Sequence, residues 1–349
     1  MPRVEGRSTV YNKITSDEKM KNVNPENLEL EKDFLEYLEA TDKAKKTIQQ
    51  YESNLHIIWC WSLDLNHNKA FVDFSKREIT RFQNHALSVW GWSPRRMRTV
   101  KATARSLENY IERMLDDEYP DYRAIWNKIE SPVNEEVRVK TVFTDEELKG
   151  FLDHLVELRQ YRNACILALA MYSGKRKAEI TRFKVSYFND ENLICGGALY
   201  KTPEKMVTKG RGQRGKLLDV YVLAKPFKPY FDLWMAERSR TGVESEWLFP
   251  DQHNQSEHIG IPMMNSIAKT FSRMLGRPFY FHSVRHFWTT SMLEANLPEA
   301  VVQMISGWSS AEMLRLYDDR SNDSQLEKYF DENGIKFAGR TSLEDLGNA

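Results

Sequence analysis

Hydrophobic positions near the start of the chain recur at helical spacing. Residues 1–27 are polar and without a period, and we expect them to form a flexible arm. The first apolar stripe then comprises Leu28, Leu30, Phe34, Leu35 and Leu38. A second stripe comprises Ile48, Tyr51, Leu55 and Ile58. Two amphipathic helices are predicted, the second capped by Thr41 or Asp42.

Two further helix starts follow from local sequence signals. Ser75 followed by Glu78 is a capping box, and Ser93-Pro94 places a capping residue before a proline at the first helical position, for a helix running to about Leu115. Residues 28–118 are therefore predicted to be a helical domain without strands. Residues 119–139, rich in charge and proline, are the predicted linker.

The second half of the chain is predicted to combine helices with a small sheet. A capping box begins at Thr144, and Asn163–Met171 is predicted to be a buried helix that ends near Gly174. Clear strand signals occur only in residues 192–223, where a β-hairpin is predicted around a glycine-rich basic turn. Helices resume at Pro226. The fold class is mainly α with a small β-sheet, with a second domain over 140–320. A C-terminal segment over 321–349 follows, in which Leu326, Tyr329 and Phe330 are expected to lie on a helix.

Composition places the chain among ordinary globular proteins of two domains. It has 349 residues, 41% hydrophobic and 29% charged. The longest apolar run, Ala164–Tyr172, is only nine residues, too short to cross a membrane, and no export signal is present. Three widely spaced cysteines fit neither a metal site nor a disulfide framework. A cytoplasmic protein is expected.

Charge is segregated along the chain although 50 basic and 50 acidic residues balance. Residues 93–106 contain five basic residues and no acid, and residues 201–216 contain six basic residues and one acid. Arg98, Lys101 and Arg105 are spaced to share one helical face. A solvated surface is the ordinary interpretation, but contact with DNA phosphate is favoured here. The candidate DNA-binding residues are Lys46, Arg95, Arg96, Arg98, Lys101, Arg105, Lys201 and Arg211.

A constellation of polar residues carries the strongest functional signal. Arg176 and Glu179 lie in the box Ser-Gly-Lys-Arg-Lys-Ala-Glu, and His282 and Arg285 form a His-x-x-Arg box. Trp308 follows Arg285, and then, as the last member, comes a tyrosine at 317. In order and spacing these boxes resemble the tyrosine recombinase (phage integrase) family, in particular the Cre-like subset with tryptophan in place of the second histidine.

The resemblance implies a helical, SAM-like core-binding domain, a catalytic domain, and a role for each matched residue. Arg176, Arg285 and Trp308 would bind the scissile phosphate, a task that suits the always-protonated guanidinium. Tyr317 would be the nucleophile and His282 a proton acceptor or phosphate donor. Lys209, on the turn of the predicted hairpin, would be the general acid, with Lys201 and Lys205 on the same hairpin as the alternatives. Glu179 and His286 would support their neighbours.

The implied activity is site-specific DNA recombination through a 3′-phosphotyrosyl intermediate and a Holliday junction, with no cofactor, metal or ATP. The implied partners are double-stranded DNA and a homo-tetramer assembled on it from monomers, with an accessory DNA-bending or directionality factor as an option. A phage or other mobile element is the expected source. A type IB topoisomerase or telomere resolvase, and a catalytically inactive DNA-binding regulator, are the alternatives.

Overall fold

The computed structural model describes residues 14–133, 141–208 and 215–308, the positions Glu312 and Leu314, and two short strands near the C-terminus. The chain divides into two compact units, and each has its own hydrophobic core. Residues 14–133 belong to the first unit, and residues 141–208 and 216–308 belong to the second.

The described part of the first unit is helical, with a core rich in aromatic side chains. Its α-helices are α1 (Asp17–Asn22), α2 (Pro25–Ala40), α3 (Lys45–Leu65), α4 (Lys76–Ser88) and α5 (Pro94–Met114). The side chains of Trp59, Trp61 and Trp92 are buried in this core, so they pack helices together rather than form a surface for stacking bases.

Local capping signals predict two of the helix starts correctly. Ser75 and Glu78 exchange both hydrogen bonds of a capping box at the start of α4, and the Ser93 side chain accepts a hydrogen bond from the Arg96 amide at the start of α5. The predicted cap of α3 is wrong. That helix begins at Lys45 after Ala44, and the Thr41 hydroxyl instead donates to backbone carbonyls at the end of α2.

The prediction of a flexible arm up to residue 27 is wrong for residues 14–27. Ser16 caps α1, and Asn24 caps α2 ahead of Pro25. The Asn24 side chain also donates to the backbone carbonyl of Asn68 at 3.1 Å, which ties this segment to the turn after α3. The polar residues that suggested an arm thus serve as helix caps. Residues 1–13 lie outside the described part of the chain.

The beginning of the predicted linker packs onto the first unit. Trp126, in a short 3₁₀ helix (Trp126–Lys128), is buried. The carboxylate of Glu108 on α5 accepts hydrogen bonds from the Ile125 amide at 2.6 Å and the Trp126 amide at 3.0 Å, and from the Tyr122 hydroxyl at 3.3 Å. Burial raises the pKa of Glu108, while these hydrogen bonds act in the opposite direction. A buried carboxylate with three donors anchors the segment.

The second unit packs helices around a small sheet. Its described α-helices are α6 (Asp145–Glu157), α7 (Tyr161–Ser173), α8 (Lys177–Ile180), α9 (Ala224–Thr241), α10 (Ile261–Met274), α11 (Phe281–Glu294) and α12 (Glu299–Ser306). Thr144 and Glu147 form the predicted capping box at the start of α6. The buried α7 is the central helix, because α6, α9 and α11 all pack against it.

The strands of the second unit form two separate antiparallel sheets. They are β1 (Leu193–Ile194), β2 (Leu199–Lys201), β3 (Met206–Thr208), β4 (Lys216–Leu218) and β5 (Tyr221–Leu223). The predicted hairpin is present as β3 and β4, with Thr208 opposite Lys216. After β4 the chain changes partner, so β5 pairs with β2, where Tyr221 lies opposite Lys201. Lys201 is therefore not on the hairpin, contrary to the expectation from sequence.

The described C-terminal pieces are strands rather than helix. β6 (Phe330–Asp331) and β7 (Gly334–Ile335) pair antiparallel, so the prediction of a helix containing Phe330 is wrong. Leu326 and Tyr329, assigned to the same helix, lie outside the described residues. None of the described helices combines the length and apolar character needed to cross a membrane.

Candidate active site

The site begins at a sharp turn that ends α7. Gly174 adopts a left-handed conformation with φ +61° and caps this helix. A Cβ at this position would lie 2.4 Å from the indole of Trp288 on α11. Both the backbone conformation and the close approach of the indole therefore require glycine here. The turn places the Lys175 side chain in the interior of the second unit and leaves that of Arg176 partly exposed.

Arg176 is held by Glu179 one turn further along the chain. The Arg176 amide donates to Glu179 Oε2 at 2.9 Å, and its guanidinium donates from Nη1 to Oε1 at 3.0 Å. The Glu179 side chain is nearly inaccessible, whereas that of Arg176 is 23% exposed. This ion pair fixes a partly exposed guanidinium beside the turn.

Arg285, on α11, is almost completely buried and bridges two distant segments. Its Nη1 donates to the Gly174 carbonyl at 2.7 Å, and its Nη2 donates to the Ser306 carbonyl at 3.0 Å. The first segment is the turn before Arg176, and the second is the end of α12. The two carbonyls fix the plane of the guanidinium and bring the two sequence boxes together.

Trp308 completes this arrangement. Gly307, with φ +72°, ends α12 and turns the chain, and the Trp308 ring then lies under the Arg285 guanidinium, with 4.8 Å between the guanidinium carbon and the ring centroid. A cation at this distance from an indole face is attracted to it. A Cβ on Gly307 would lie 2.3 Å from Leu218 Cδ1, so β4 of the hairpin packs directly against this turn.

The two histidines of the second box lie one turn apart on α11. His282 is exposed and His286 is partly buried, and their rings meet edge to face with centroids 5.2 Å apart. They flank Arg285 in sequence, so the helix that carries the buried guanidinium also carries the exposed imidazole of His282.

Not every predicted catalytic residue falls in the described part of the chain. The structure brings together Arg176, Glu179, Arg285 and Trp308. Lys209, Arg211 and Tyr317 lie outside the described residues. Of the alternatives to Lys209, Lys205 is exposed next to β3, and the Lys201 ammonium lies 3.8 Å from the Asp219 carboxylate across the other sheet.

The structure corrects the expectation that Lys101 contacts DNA. Its side chain is 3% exposed, and its ammonium donates to the Ile129 backbone carbonyl within the first unit. Burial, followed by the charges of Arg105 and Arg98, lowers the pKa of Lys101. Helical spacing placed this lysine on an outer face, but the segment after α5 folds back over it.

The other candidate DNA-binding residues of the first unit differ in their surroundings. Arg96 donates to Asn54 Oδ1 at 2.8 Å and stacks on Trp92, and Arg98 donates to the Pro132 carbonyl. Lys46, Arg95 and Arg105 have exposed side chains. Contact with DNA remains a prediction for these residues, and it is simplest for the exposed ones.

One group among the described residues brings three potential metal-ligand atoms within 4.8 Å of one another, namely Glu31, Glu52 and His56. Both oxygens of Glu31 already accept hydrogen bonds, from His56 Nε2 at 2.8 Å and from Trp59 Nε1. Burial acts to lower the pKa of His56, but the hydrogen bond and charge of Glu31 outweigh it, so the pKa is raised. An ion pair between Glu31 and His56 therefore explains why these residues lie together.

Comparison with known proteins identifies the family of the chain. The phage integrase family matches residues 141–323, more than half of the chain. A recombinase-like protein of the SPbeta prophage, YomM of Bacillus subtilis (strain 168), is 27% identical over 310 residues, covering 84% of this chain and 89% of YomM. TnP I resolvase of Bacillus thuringiensis is 24% identical over 300 residues, covering 86% of this chain and 97% of that protein.

Solved structures share the fold. The XerH site-specific recombinase, in a post-cleavage complex with its difH substrate, superposes with a TM-score of 0.62 at 17% identity, covering 81% of this chain and 78% of XerH. The chain belongs to the phage integrase family, and the predictions of a tyrosine recombinase and of a mainly helical fold with a small sheet are confirmed. It is a site-specific recombinase by class.

Gly174→Ala tests the close packing at the turn. We expect it to destabilise the protein by about 3 kcal/mol, because the new methyl group adds a collision with Trp288 to the cost of a left-handed conformation. Gly242→Ala is the matched control, since Gly242 also caps a helix at φ +67° but nothing lies within 4 Å of its Cβ. It should cost only about 1 kcal/mol. Urea denaturation measures both, and equal losses would contradict the packing argument.

Proposed function

We propose that this protein cleaves and rejoins DNA at specific sites through a covalent bond between Tyr317 and a 3′ phosphate, with a Holliday junction between the two rounds of exchange. One observation carries this proposal. The Arg285 guanidinium donates a hydrogen bond to the carbonyl of Gly174, two residues before Arg176, so the arginine of the second box contacts the turn that leads to the arginine of the first. Paired guanidinium groups suit the charge that develops on phosphate oxygens during transfer.

The proposed cleavage step balances without a metal or ATP. The Tyr317 oxygen attacks phosphorus, its proton passes to His282, and the bond from phosphorus to the 5′ oxygen breaks. Lys209 protonates the departing oxygen. The phosphotyrosyl ester retains the energy of the phosphodiester, so a 5′ hydroxyl from a second duplex can attack it and release Tyr317. Arg176, Arg285 and Trp308 bind the phosphate, while Glu179 and His286 hold their neighbours.

The proposed assembly is a homo-tetramer on two DNA duplexes, formed from monomers, with the C-terminal segment 321–349 docking on a neighbour. The first unit would be the core-type DNA-binding domain. A role in a phage or other mobile element is supported by the names of the relatives, which include a prophage-derived protein and a resolvase. A cytoplasmic location, on the DNA of the host cell, follows from this role.

Two other activities use or imitate this site. A type IB topoisomerase or telomere resolvase would form the same phosphotyrosyl bond but would not exchange strands between two duplexes. A catalytically inactive regulator would bind DNA and form no bond. The presence of Arg176, Arg285 and Tyr317 in the sequence favours an active enzyme.

Covalent trapping tests the proposed chemistry. The protein is incubated with a duplex from its element's attachment site that carries a 5′-bridging phosphorothiolate at the scissile position. Sulfur leaves readily but reacts poorly in reverse, so the covalent product should accumulate. We expect a protein–DNA band that resists SDS for the wild-type protein and none for Tyr317→Phe. A band that survives Tyr317→Phe would show that another residue is the nucleophile, and no wild-type band despite DNA binding would favour the regulator.

The exposed basic face of α5 gives a second prediction. Arg105→Ala should weaken binding to different DNA sequences alike and reduce the slope of log affinity against log salt by about 1, because one phosphate contact is lost. Lys101→Met is the matched control on the same helix. Its ammonium is buried, so the salt slope should not change. Fluorescence anisotropy titrations at several salt concentrations measure both, and an unchanged slope for Arg105→Ala would remove this face from the DNA-binding surface.

A further inference from the structure

Lys175 is a buried lysine that the proposed chemistry does not use. Its side chain is 1% exposed and is among the largest fully buried side chains of the chain. Lysine is almost never fully buried unless its ammonium is paired. Here the nearest charges include two arginines, Arg285 and Arg176, which oppose a further cation, and only one carboxylate, Glu179. A lysine retained in this position therefore needs a specific reason.

The ammonium of Lys175 reaches across the second unit to the end of α12. Its Nζ donates to the carbonyl of Ile305 at 2.6 Å, and Arg285 Nη2 donates to the next carbonyl, that of Ser306. The last carbonyls of a helix have no partner within the helix, and the helix dipole favours cations there. Two buried cations thus hold consecutive carbonyls at one helix end.

At the other end of this connection lies the turn after α7, which contains Lys175 and is contacted by Arg285. Lys175 lies between Gly174, whose carbonyl accepts from Arg285 Nη1, and Arg176, whose guanidinium is paired with Glu179. At the far end, Ile305 and Ser306 precede Trp308 by only a few residues. The turn that carries Arg176 and the helix end that leads to Trp308 are therefore joined twice, once through Arg285 and once through Lys175.

We propose that Lys175 is a positioning residue of the active site, whose ammonium ties the segment carrying Arg176 to the helix end carrying Trp308. This inference rests on the proposed function, because it assigns Lys175 to the alignment of groups that bind the scissile phosphate. Lys175 itself does not touch the phosphate. Misplacement of a catalytic group by about 1 Å can slow a reaction by about a hundredfold, so the expected signature is a slower cleavage step.

The state of this ammonium depends on pH. Burial lowers the pKa of Lys175 to about 8, and the positive charges of Arg285 on α11 and of the adjacent Arg176 act in the same direction. The negative charge of Glu179 on α8 acts in the opposite direction but is outweighed. On α12 the group it faces is a backbone carbonyl, which does not titrate. Lys175 is therefore charged at neutral pH and loses its charge as the pH rises through about 8.

The test compares Lys175→Met with a matched control, Lys177→Met. Methionine matches the apolar part of the lysine side chain as far as Cε, with sulfur in place of Cδ, and lacks the ammonium. Lys177 lies two residues further on, where its ammonium donates to Asn265 Oδ1 at the surface. The measurement is the single-turnover rate of covalent product formation at saturating protein on the phosphorothiolate duplex. The thiolate leaves without a proton, so the titration of Lys209 does not enter the pH profile.

We expect Lys175→Met to slow cleavage about tenfold or more at pH 7, with the DNA dissociation constant changed less than about twofold. Lys177→Met should change neither. The advantage of the wild-type protein over Lys175→Met should shrink as the pH is raised through about 8. Lys175→Gln, which keeps an N–H donor without the charge, should cleave at an intermediate rate and serves as the second variant if Lys175→Met does not fold.

Distinct outcomes would overturn the inference. Cleavage by Lys175→Met within twofold of the wild-type rate would overturn the positioning role of Lys175 and leave the proposed function intact. An equal loss of cleavage rate and of DNA binding at every pH would do the same, because it indicates a general effect on folding. Cleavage by Lys175→Gln at the full wild-type rate at pH 7 would also overturn the role given to the ammonium. No covalent product from the wild-type protein would overturn the proposed function and with it this inference.

Discussion

The buried guanidinium of Arg285 connects the parts on which the site depends. Removing such a group from water is costly, and the cost is offset only when its N–H groups meet well-placed acceptors. Two of them bond the carbonyls of Gly174 and Ser306, and the Trp308 ring covers one face. Two helix ends that lie more than a hundred residues apart in sequence, and the indole ring next to the second of them, are thereby fixed around one cation.

Close packing makes this connection specific. Gly174 has the Trp288 indole where a side chain would be, and Gly307 has a Leu218 methyl group in the equivalent place. The first contact packs the turn at Gly174 against α11, and the second packs the β3–β4 hairpin against the turn at Gly307. In sequence, the proposed general acid Lys209 directly follows β3. Small residues at two turns therefore allow the sheet, the turn and the helix to approach one another.

Sequence predicted the features that depend on neighbouring residues. The capping boxes at Ser75 and Thr144 are local hydrogen-bond patterns, and the catalytic boxes have fixed spacing, so both could be recognised. Sequence did not predict the burial of Lys101 or the anchoring of Trp126 by Glu108, because both require a segment that returns over α5. Sequence likewise did not predict the burial of Lys175. Its partner, the Ile305 carbonyl, is 130 positions away.

We infer that Arg176 and Arg285 together stabilise charge on the scissile phosphate, and an uncharged substrate separates this role from a structural one. The measurement is the single-turnover cleavage rate of wild-type protein and Arg176→Ala on duplexes with an ordinary phosphate or an uncharged methylphosphonate at the scissile position. On the phosphate the variant should be slower by about a hundredfold or more, and on the methylphosphonate the difference should nearly vanish. An equal loss on both substrates would contradict the claim and assign Arg176 to the fold alone.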